Sequence, residues 1–224
     1  MAIFGGRFLM LEVKCPPRIV FRIGRKPDPW APPSWGYAHE DGTFGNRFDD
    51  PEGSYRVLYA SSQRLSCFAE TLARFRPSLE VLAELRDIAG PDDFLTFNPE
   101  DWIANRRIGT ATARGVFADI YANAWVSLLR QELAALALEL GIHEIDASTL
   151  QANEPRRLTQ AASLRVRTRG LNGVYYRSRF GHSMENWALF EPWDFDAHEP
   201  EEITLEDADM WTILERFAIA TPSR

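Results

Sequence analysis

The sequence has no stretch approaching the roughly 18 consecutive apolar residues that a membrane-crossing helix needs. Cysteine is scarce. Cys15 and Cys67 form no C-x-x-C pair and have no histidine at metal-ligand spacing. That argues against a zinc finger or a disulfide scaffold and fits a reducing cytoplasm. The four histidines are scattered at positions 39, 143, 182 and 198, so no metal is expected. Lysine is nearly absent: Lys14 and Lys26 are the only two among 25 basic residues. There is no P-loop, no strand-linked G-x-G-x-x-G, no H-E-x-x-H and no G-x-S-x-G. Internal repeats and low-complexity tracts are also missing. The opening "MAIFGGRFLMLEVKCPP" lacks a basic leader and a cleavage site after a long apolar core, and does not read as a signal peptide. Within it, "GGRF" (5–8) has a ligand-loop look but no strand and helix behind it, and is expected to be a turn.

The 224 residues suit one domain spanning 1–224, and 45% hydrophobic with 12% aromatic content supports a real core. A net charge of −7 disfavours a general nucleic-acid coat, so no direct nucleic-acid binding is expected. The charge is uneven, however. Seven arginines and no acid lie between Arg156 and Arg179. Arginine is a good fork for phosphate and carboxylate, although a solvated helix face would look the same.

Hydrophobic pattern and turn chemistry suggest the following elements. A strand covers 18–24. The Pro- and Trp-rich stretch "KPDPWAPPSWG" (26–36) must be loop, and its aromatics favour a packed lid over a flexible linker. A short strand is expected at 57–60. A helix capped by Ser62 follows, with Leu65, Phe68, Ala69, Leu72 and Phe75 on one face, ending at Pro77. Ser78 caps a second helix with Val81, Leu82, Leu85 and Ile88 inward, closed by Gly90-Pro91. The longest helix is expected at 122–140, then a strand "HEIDAS" (143–148) and a helix from Pro155 through about Arg167. Strands at 173–178 and 186–191 and a helix at 207–218 complete the reading. Without a regular strand–helix repeat, this is α+β (mixed α/β) with a modest central sheet flanked by helices.

Three residues crowd into "GTFGNRFDDPEGSYRVLYASSQRLSCFAE" (42–70). Each has an ordinary explanation: Arg47 pairing with Asp49 or Asp50 in a turn, Tyr59 as sheet filler, Glu70 as a solvated helix residue. Glu70 nevertheless lies well away from the centre of its helix's apolar stripe at ~100° per residue, so it is free to face a cleft.

The ordered set resembles the RES-domain family, toxins usually paired with Xre-type antitoxins. The residues carrying the resemblance are Phe21-Arg22, the loop "GNRF" around Arg47, the strand "LYAS" with Tyr59, Glu70 in "CFAET", the polar helix "RRLTQAAS" with Thr159 and Gln160, and Ser178 in "GVYYRS" followed by "ENWALFE". The likeness runs from about 18 to 191 and leaves 192–224 as a C-terminal extension. Asn46 and Phe48 stand where the family more often has Gly and Trp.

The resemblance implies an ADP-ribosyltransferase-like fold and a cytoplasmic enzyme consuming NAD⁺ as substrate, with no further cofactor and no metal. It implies Glu70, Arg47 and Ser178 as catalytic residues, and Arg22, Arg47, Tyr59, Thr159 and Gln160 as NAD⁺-binding residues. Arg22 and Arg47 would grip the pyrophosphate. Tyr59 would stack on or bond the nicotinamide side. Ser178 would bond the nicotinamide amide or the ribose. The acceptor stays open between water, inorganic phosphate and a protein side chain. An Xre-type antitoxin is the expected partner. The alternatives are a protein ADP-ribosyltransferase, a non-catalytic nucleotide- or protein-binding module and, on weaker grounds, an RNA-processing enzyme.

Overall fold

The computed structural model describes residues 2–4, 7–85, 96–152, 154–181 and 183–222. Strands β1 (Ala2–Phe4) and β2 (Arg7–Leu9) pair as a separate two-stranded ribbon. Of the expected "GGRF" turn, Gly5 and Gly6 lie outside the described residues, while Arg7 and Phe8 belong to β2.

The main sheet has nine strands: β3 (Val13–Lys14), β4 (Val20–Arg25), β5 (Val57–Ser61), β6 (Arg106–Ala113), β7 (Phe117–Asp119), β8 (Gly173–Arg177), β9 (Glu185–Phe190), β10 (Phe195–Ala197) and β11 (Glu201–Glu202). Their spatial order is β10-β6-β4-β5-β9-β8-β7-β3, with β11 also on β6. Every pairing is antiparallel except β7 with β8. The helices are α1 (Arg64–Leu72), α2 (Leu79–Leu85), α3 (Pro99–Ala104), α4 (Asn123–Glu132), α5 (Ala134–Glu139), α6 (Ala147–Gln151), α7 (Arg156–Arg167) and α8 (Ala208–Arg216). The architecture is mixed α/β, a central sheet flanked by helices.

Alternation along the strands divides the core. Val57, Val174, Tyr176 and Ala188 pack with Trp125, Leu129, Leu158 and Ala162 of α4 and α7. Leu58, Ala60, Tyr175 and Trp187 face the other way, towards Trp30 and Phe117. A further cluster joins Phe68 and Leu72 of α1 to Met210, Ile213 and Leu214 of α8. Residues 192–222 thus contribute β10, β11 and α8 to the packed body.

Several expectations need correction. The stretch "IANRRIGTATARG", left without an element, holds the eight-residue strand β6. Its buried positions include small Ala111 and Ala113, so it lacks a strong apolar signal. Gly109 within it is required by packing, since a Cβ there would sit 2.4 Å from Trp30 Nε1. The Pro/Trp loop therefore lies against the sheet, with Trp30 buried on β6.

The expected 122–140 helix is two helices, because Leu133 leaves helical geometry (φ −113°, ψ 11°) as its side chain turns into the core. "HEIDAS" is not a strand. Asp146 caps α6 by accepting from Thr149 N–H at 2.7 Å, which is Asx chemistry at a helix start. Ser62 does not cap α1: Gln63 holds that position without a side-chain bond, and Ser62 Oγ accepts instead from Trp187 Nε1 at 2.9 Å. Val81 and Leu82 are not inward but 40% and 46% exposed. The Leu85 side chain, Ile88 and the Gly90-Pro91 stop lie outside the described residues.

One irregularity positions the candidate site. β4 runs paired along β6, and β5 along β9, but β4 and β5 meet only at Phe21 and Ser61. Beyond that bridge the two strands part, and a cleft opens where the sheet splits.

Candidate active-site cleft

The cleft has a volume of about 370 Å³. Its charged lining is one carboxylate, Glu70, and five guanidinium groups: Arg22, Arg47, Arg74, Arg156 and Arg179. In a chain of net charge −7 this is a strong local reversal of sign.

Glu70 sits on α1 at the cleft mouth and is exposed. Ser66 and Glu70 are four residues apart on that helix and therefore share a face. Asn186 on β9 meets both. Its Nδ2 donates to Glu70 Oε1 at 2.8 Å, and its Oδ1 accepts from Ser66 Oγ at 2.9 Å and from Ser61 Oγ at 2.5 Å. Ser61 and Asn186 are register partners across β5 and β9. Cys67 also lines this wall. Burial pushes its thiol up to about 12, against smaller opposing effects of Ser61 and Arg22, so it is a neutral thiol rather than a thiolate nucleophile.

The opposite wall is the loop between β4 and β5. Asp49 and Asp50 of this loop are buried and occupied locally. Asp50 accepts from the backbone N–H groups of Glu52, Ser54 and Tyr55. Asp49 accepts from Asn46 N–H at 2.7 Å, Asn46 Nδ2 at 2.8 Å and Tyr59 OH at 2.8 Å. Burial nevertheless raises the Asp49 pKa, outweighing those bonds. With both carboxylates engaged, the ordinary alternative of an Arg47 pair with Asp49 or Asp50 does not form. Arg47 Nη2 donates to Tyr121 OH at 2.9 Å and to the Leu150 carbonyl. The guanidinium lies 5.0 Å from the Phe48 ring centre and 5.6 Å from that of Tyr176. Arg47 Nε is buried without a hydrogen-bond partner.

Arg22 ties the split strands together: Nη1 donates to the Tyr59 carbonyl and Nε to the Pro29 carbonyl, each at 2.8 Å. Burial lowers its pKa, yet a guanidinium remains protonated at any physiological pH. Tyr59 lines the cleft, but its hydroxyl is fixed between Phe48 N–H (3.0 Å) and Asp49. Burial, with Asp49 alongside, holds that phenol well above the usual tyrosine range.

Arg22, Arg47, Tyr59 and Glu70 thus come together as the sequence suggested, whereas Ser178, Thr159 and Gln160 do not line the cleft. Ser178, 2% exposed, organises the turn after β8: its Oγ accepts from Phe180 N–H at 3.1 Å and its N–H donates to the Met184 carbonyl. That turn delivers Arg179 and Phe180 to the lining. Thr159, also 2% exposed, bonds back to the Arg156 carbonyl within α7. Gln160 Nε2 donates to the Asn46 carbonyl at 2.9 Å and so holds the Arg47 loop.

Asn186, Tyr121 and Tyr176 carry no role in the sequence reading, and Arg156 stands there only as one of the seven arginines of its segment. The asparagine stood in "ENWALFE" as an anomalous amide in an apolar strand, which was a usable signal. Arg156 looked like one more solvated arginine, but its Nη1 donates to the Gly45 carbonyl, and it lines the cleft. Among the described residues, no group of three or more His, Cys, Asp or Glu could hold a metal ion, and no helix is long and apolar enough to cross a membrane.

A family model for the RES domain matches residues 19–211. The chain belongs to the RES domain family. No match was found among curated proteins. A chain in the crystal structure of the M. tuberculosis MbcT–MbcA toxin–antitoxin complex superposes with a TM-score of 0.51 at 14% identity. The alignment covers 92% of this chain and 90% of that one. At that identity the likeness is one of fold. The match of the RES model reaches into α8, so the family's extent includes part of what the sequence resemblance left as an extension.

Proposed function

We propose that this RES-family protein is a toxin enzyme that cleaves the nicotinamide–ribose bond of NAD⁺ and is restrained by a protein antitoxin. The observation that carries the reading is a single carboxylate, held by a buried amide at 2.8 Å, in a cleft whose other charged groups are all arginines. Such a site suits a ligand that is anionic along its length and becomes cationic at one atom during reaction. NAD⁺ has that character, with a pyrophosphate and a ribosyl carbon that turns oxocarbenium-like as nicotinamide leaves.

The C1′–N1 bond breaks and its electron pair departs with neutral nicotinamide. The Glu70 carboxylate stabilises the developing ribosyl cation and engages the ribose hydroxyls, as carboxylates do in glycosidic chemistry. Arg47, whose buried Nε–H has no hydrogen-bond partner, is best disposed to hold the pyrophosphate by charge-assisted bonds, with Arg156 also in the lining. Tyr59 offers its ring face to the nicotinamide side, because its hydroxyl is engaged. Ser178 acts through the turn bearing Arg179 and Phe180, and Gln160 through the Arg47 loop. Water as acceptor adds its oxygen to C1′ and loses a proton, giving ADP-ribose. Inorganic phosphate gives the 1-phosphate ester, and a protein side chain gives ADP-ribosylation. The structural relative was crystallised in a toxin–antitoxin complex, which supports an antitoxin partner here, for which the Xre type is the family expectation. A toxin that depletes cellular NAD⁺ would act in the cytoplasm.

The test is purified protein incubated with NAD⁺, with and without phosphate, with nicotinamide and the ribosyl product separated by chromatography. Equimolar nicotinamide and ADP-ribose, or ADP-ribose 1-phosphate when phosphate is present, are expected. Intact NAD⁺ in both conditions, together with no ADP-ribose label on lysate proteins, overturns the reading. Stabilisation by ADP-ribose or NAD⁺ without turnover would identify a binding module instead.

A further inference from the structure

We infer that Asn186 is the positioning residue for Glu70, and that Ser61 and Ser66 set its orientation so that one carboxylate oxygen is held and the other is presented to the cleft. The inference rests on Glu70 being the residue that acts on substrate.

The geometry is over-determined. Asn186 is 1% exposed, in the middle of a sheet, where an unsatisfied amide is costly. Three side chains from three places converge on it: Ser61 from the end of β5, directly opposite in register, and Ser66 and Glu70 from successive turns of α1. An amide placed there has two possible orientations, and its neighbours choose between them. A carboxylate only accepts, so the NH₂ must face Glu70 and the carbonyl oxygen must face the serines. The two serine hydroxyls can rotate to donate, and both do so to the same Oδ1, at 2.5 Å and 2.9 Å. Glu70 Oε1 is thereby fixed at 2.8 Å, while no hydrogen bond among the described residues engages Oε2. A long, exposed glutamate would otherwise sample many rotamers. Here one oxygen is anchored on the sheet, so the other has a defined direction before any ligand arrives. Preorganisation of this kind lets an electrostatic group act without reorganising during the reaction.

The chain of contacts also predicts how each substitution fails. Asn186→Ala removes the anchor. Ser61→Ala with Ser66→Ala keeps the amide but removes what orients it. Asn186→Asp replaces the NH₂ donor with a group that donates only while protonated. Beside Glu70 such a carboxyl shares one proton with it, and loses that proton as the pH rises. Activity of Asn186→Asp should therefore be best in mildly acid solution and fall as the pH rises, a slope the wild type lacks.

Two measurements test this. Steady-state nicotinamide release should show kcat reduced at least tenfold in Asn186→Ala and several-fold in the double serine variant. KM for NAD⁺ should change less than twofold in both, with melting temperatures above the assay temperature. In the apo protein, the Asn186 side-chain NH₂ resonances in a ¹⁵N correlation spectrum should shift on Glu70→Ala. They should also collapse towards free-amide values in the double serine variant. Wild-type kcat in Asn186→Ala, or losses confined to KM, overturns the positioning role. So does an Asn186→Asp pH profile parallel to wild type, or amide resonances indifferent to Glu70. If the wild type itself releases no nicotinamide, the enzymatic reading fails. The amide resonances then still decide whether Asn186 holds Glu70, and unmoved resonances end the positioning claim as well.

Discussion

The two walls of the cleft are built on opposite principles. On the Glu70 wall the carboxylate is already anchored: Ser61 and Ser66 donate to Asn186, and Asn186 donates to Glu70. On the Arg47 wall the anionic groups turn away from the arginine to hold their own loop. Arg47 keeps a buried Nε–H with no partner. A buried, unsatisfied donor on a cation is expensive, and it becomes favourable only when an anion arrives. The first wall is finished without ligand. The second keeps a donor unsatisfied. That contrast is what a site requires when it must grip an anionic substrate on one side and meet a transient cation on the other.

The largest effect should come from breaking the finished wall at its end. Glu70→Gln keeps size and polarity but removes the charge. It should reduce nicotinamide release by about 10²–10³-fold, the scale of losing a preorganised electrostatic group, with the melting temperature nearly unchanged. Arg47→Ala attacks the other wall and should cost more than tenfold in kcat/KM, mostly through KM. It should also abolish the thermal stabilisation given by ADP-ribose. Some loss of fold stability is expected too, because Arg47 also donates to Tyr121 and Leu150. If Arg47→Ala reduced kcat alone, the division between a gripping wall and a reacting wall would be wrong.

Ser178→Ala tests a residue outside both. It loses the bond to Phe180 N–H but nothing that faces the cleft. A few-fold fall in kcat/KM is expected, in keeping with a net ~1 kcal/mol hydrogen bond. A loss equal to that of Glu70→Gln would mean that the serine itself touches substrate. The smallest effect is reserved for a charge pair away from the chemistry. Hydrogen bonds from Arg56 hold Glu191 below the ordinary glutamate range. A carboxylate depressed in the folded state adds stability above its unfolded pKa and loses it as pH falls through the folded value. Glu191→Gln should thus lower stability by no more than about 1 kcal/mol near neutrality, as for a partly exposed surface pair. The difference should vanish in acid, with nicotinamide release unaltered throughout.

What was legible in the sequence followed the strength of the local signal. Strands β4, β5, β8 and β9 have compact apolar runs and were found, as was α7 behind Pro155. β6 escapes a local reading because, Ile108 apart, its buried positions are the small Gly109, Ala111 and Ala113, and Trp30, which packs on it, lies some eighty residues earlier. The split between β4 and β5, which makes the cleft, is a register event that no local pattern encodes. Arg22, Arg47, Tyr59 and Glu70 were legible as an ordered set. Their partners were not, since Asn186 meets Glu70 across 116 positions and Tyr121 meets Arg47 across 74. Ser178 and Thr159 show the converse limit: each stands at the expected place in the chain, but its hydroxyl is spent on nearby backbone groups.

The most direct measurement is nicotinamide release from NAD⁺ by the purified wild-type protein and by folded Glu70→Gln under identical conditions. Turnover by the wild type that drops at least a hundredfold in the variant is the predicted result. Equal rates in the two proteins, or no release from either at enzyme concentrations matching NAD⁺, would contradict the assignment of this cleft as a carboxylate-driven NAD⁺-cleaving site.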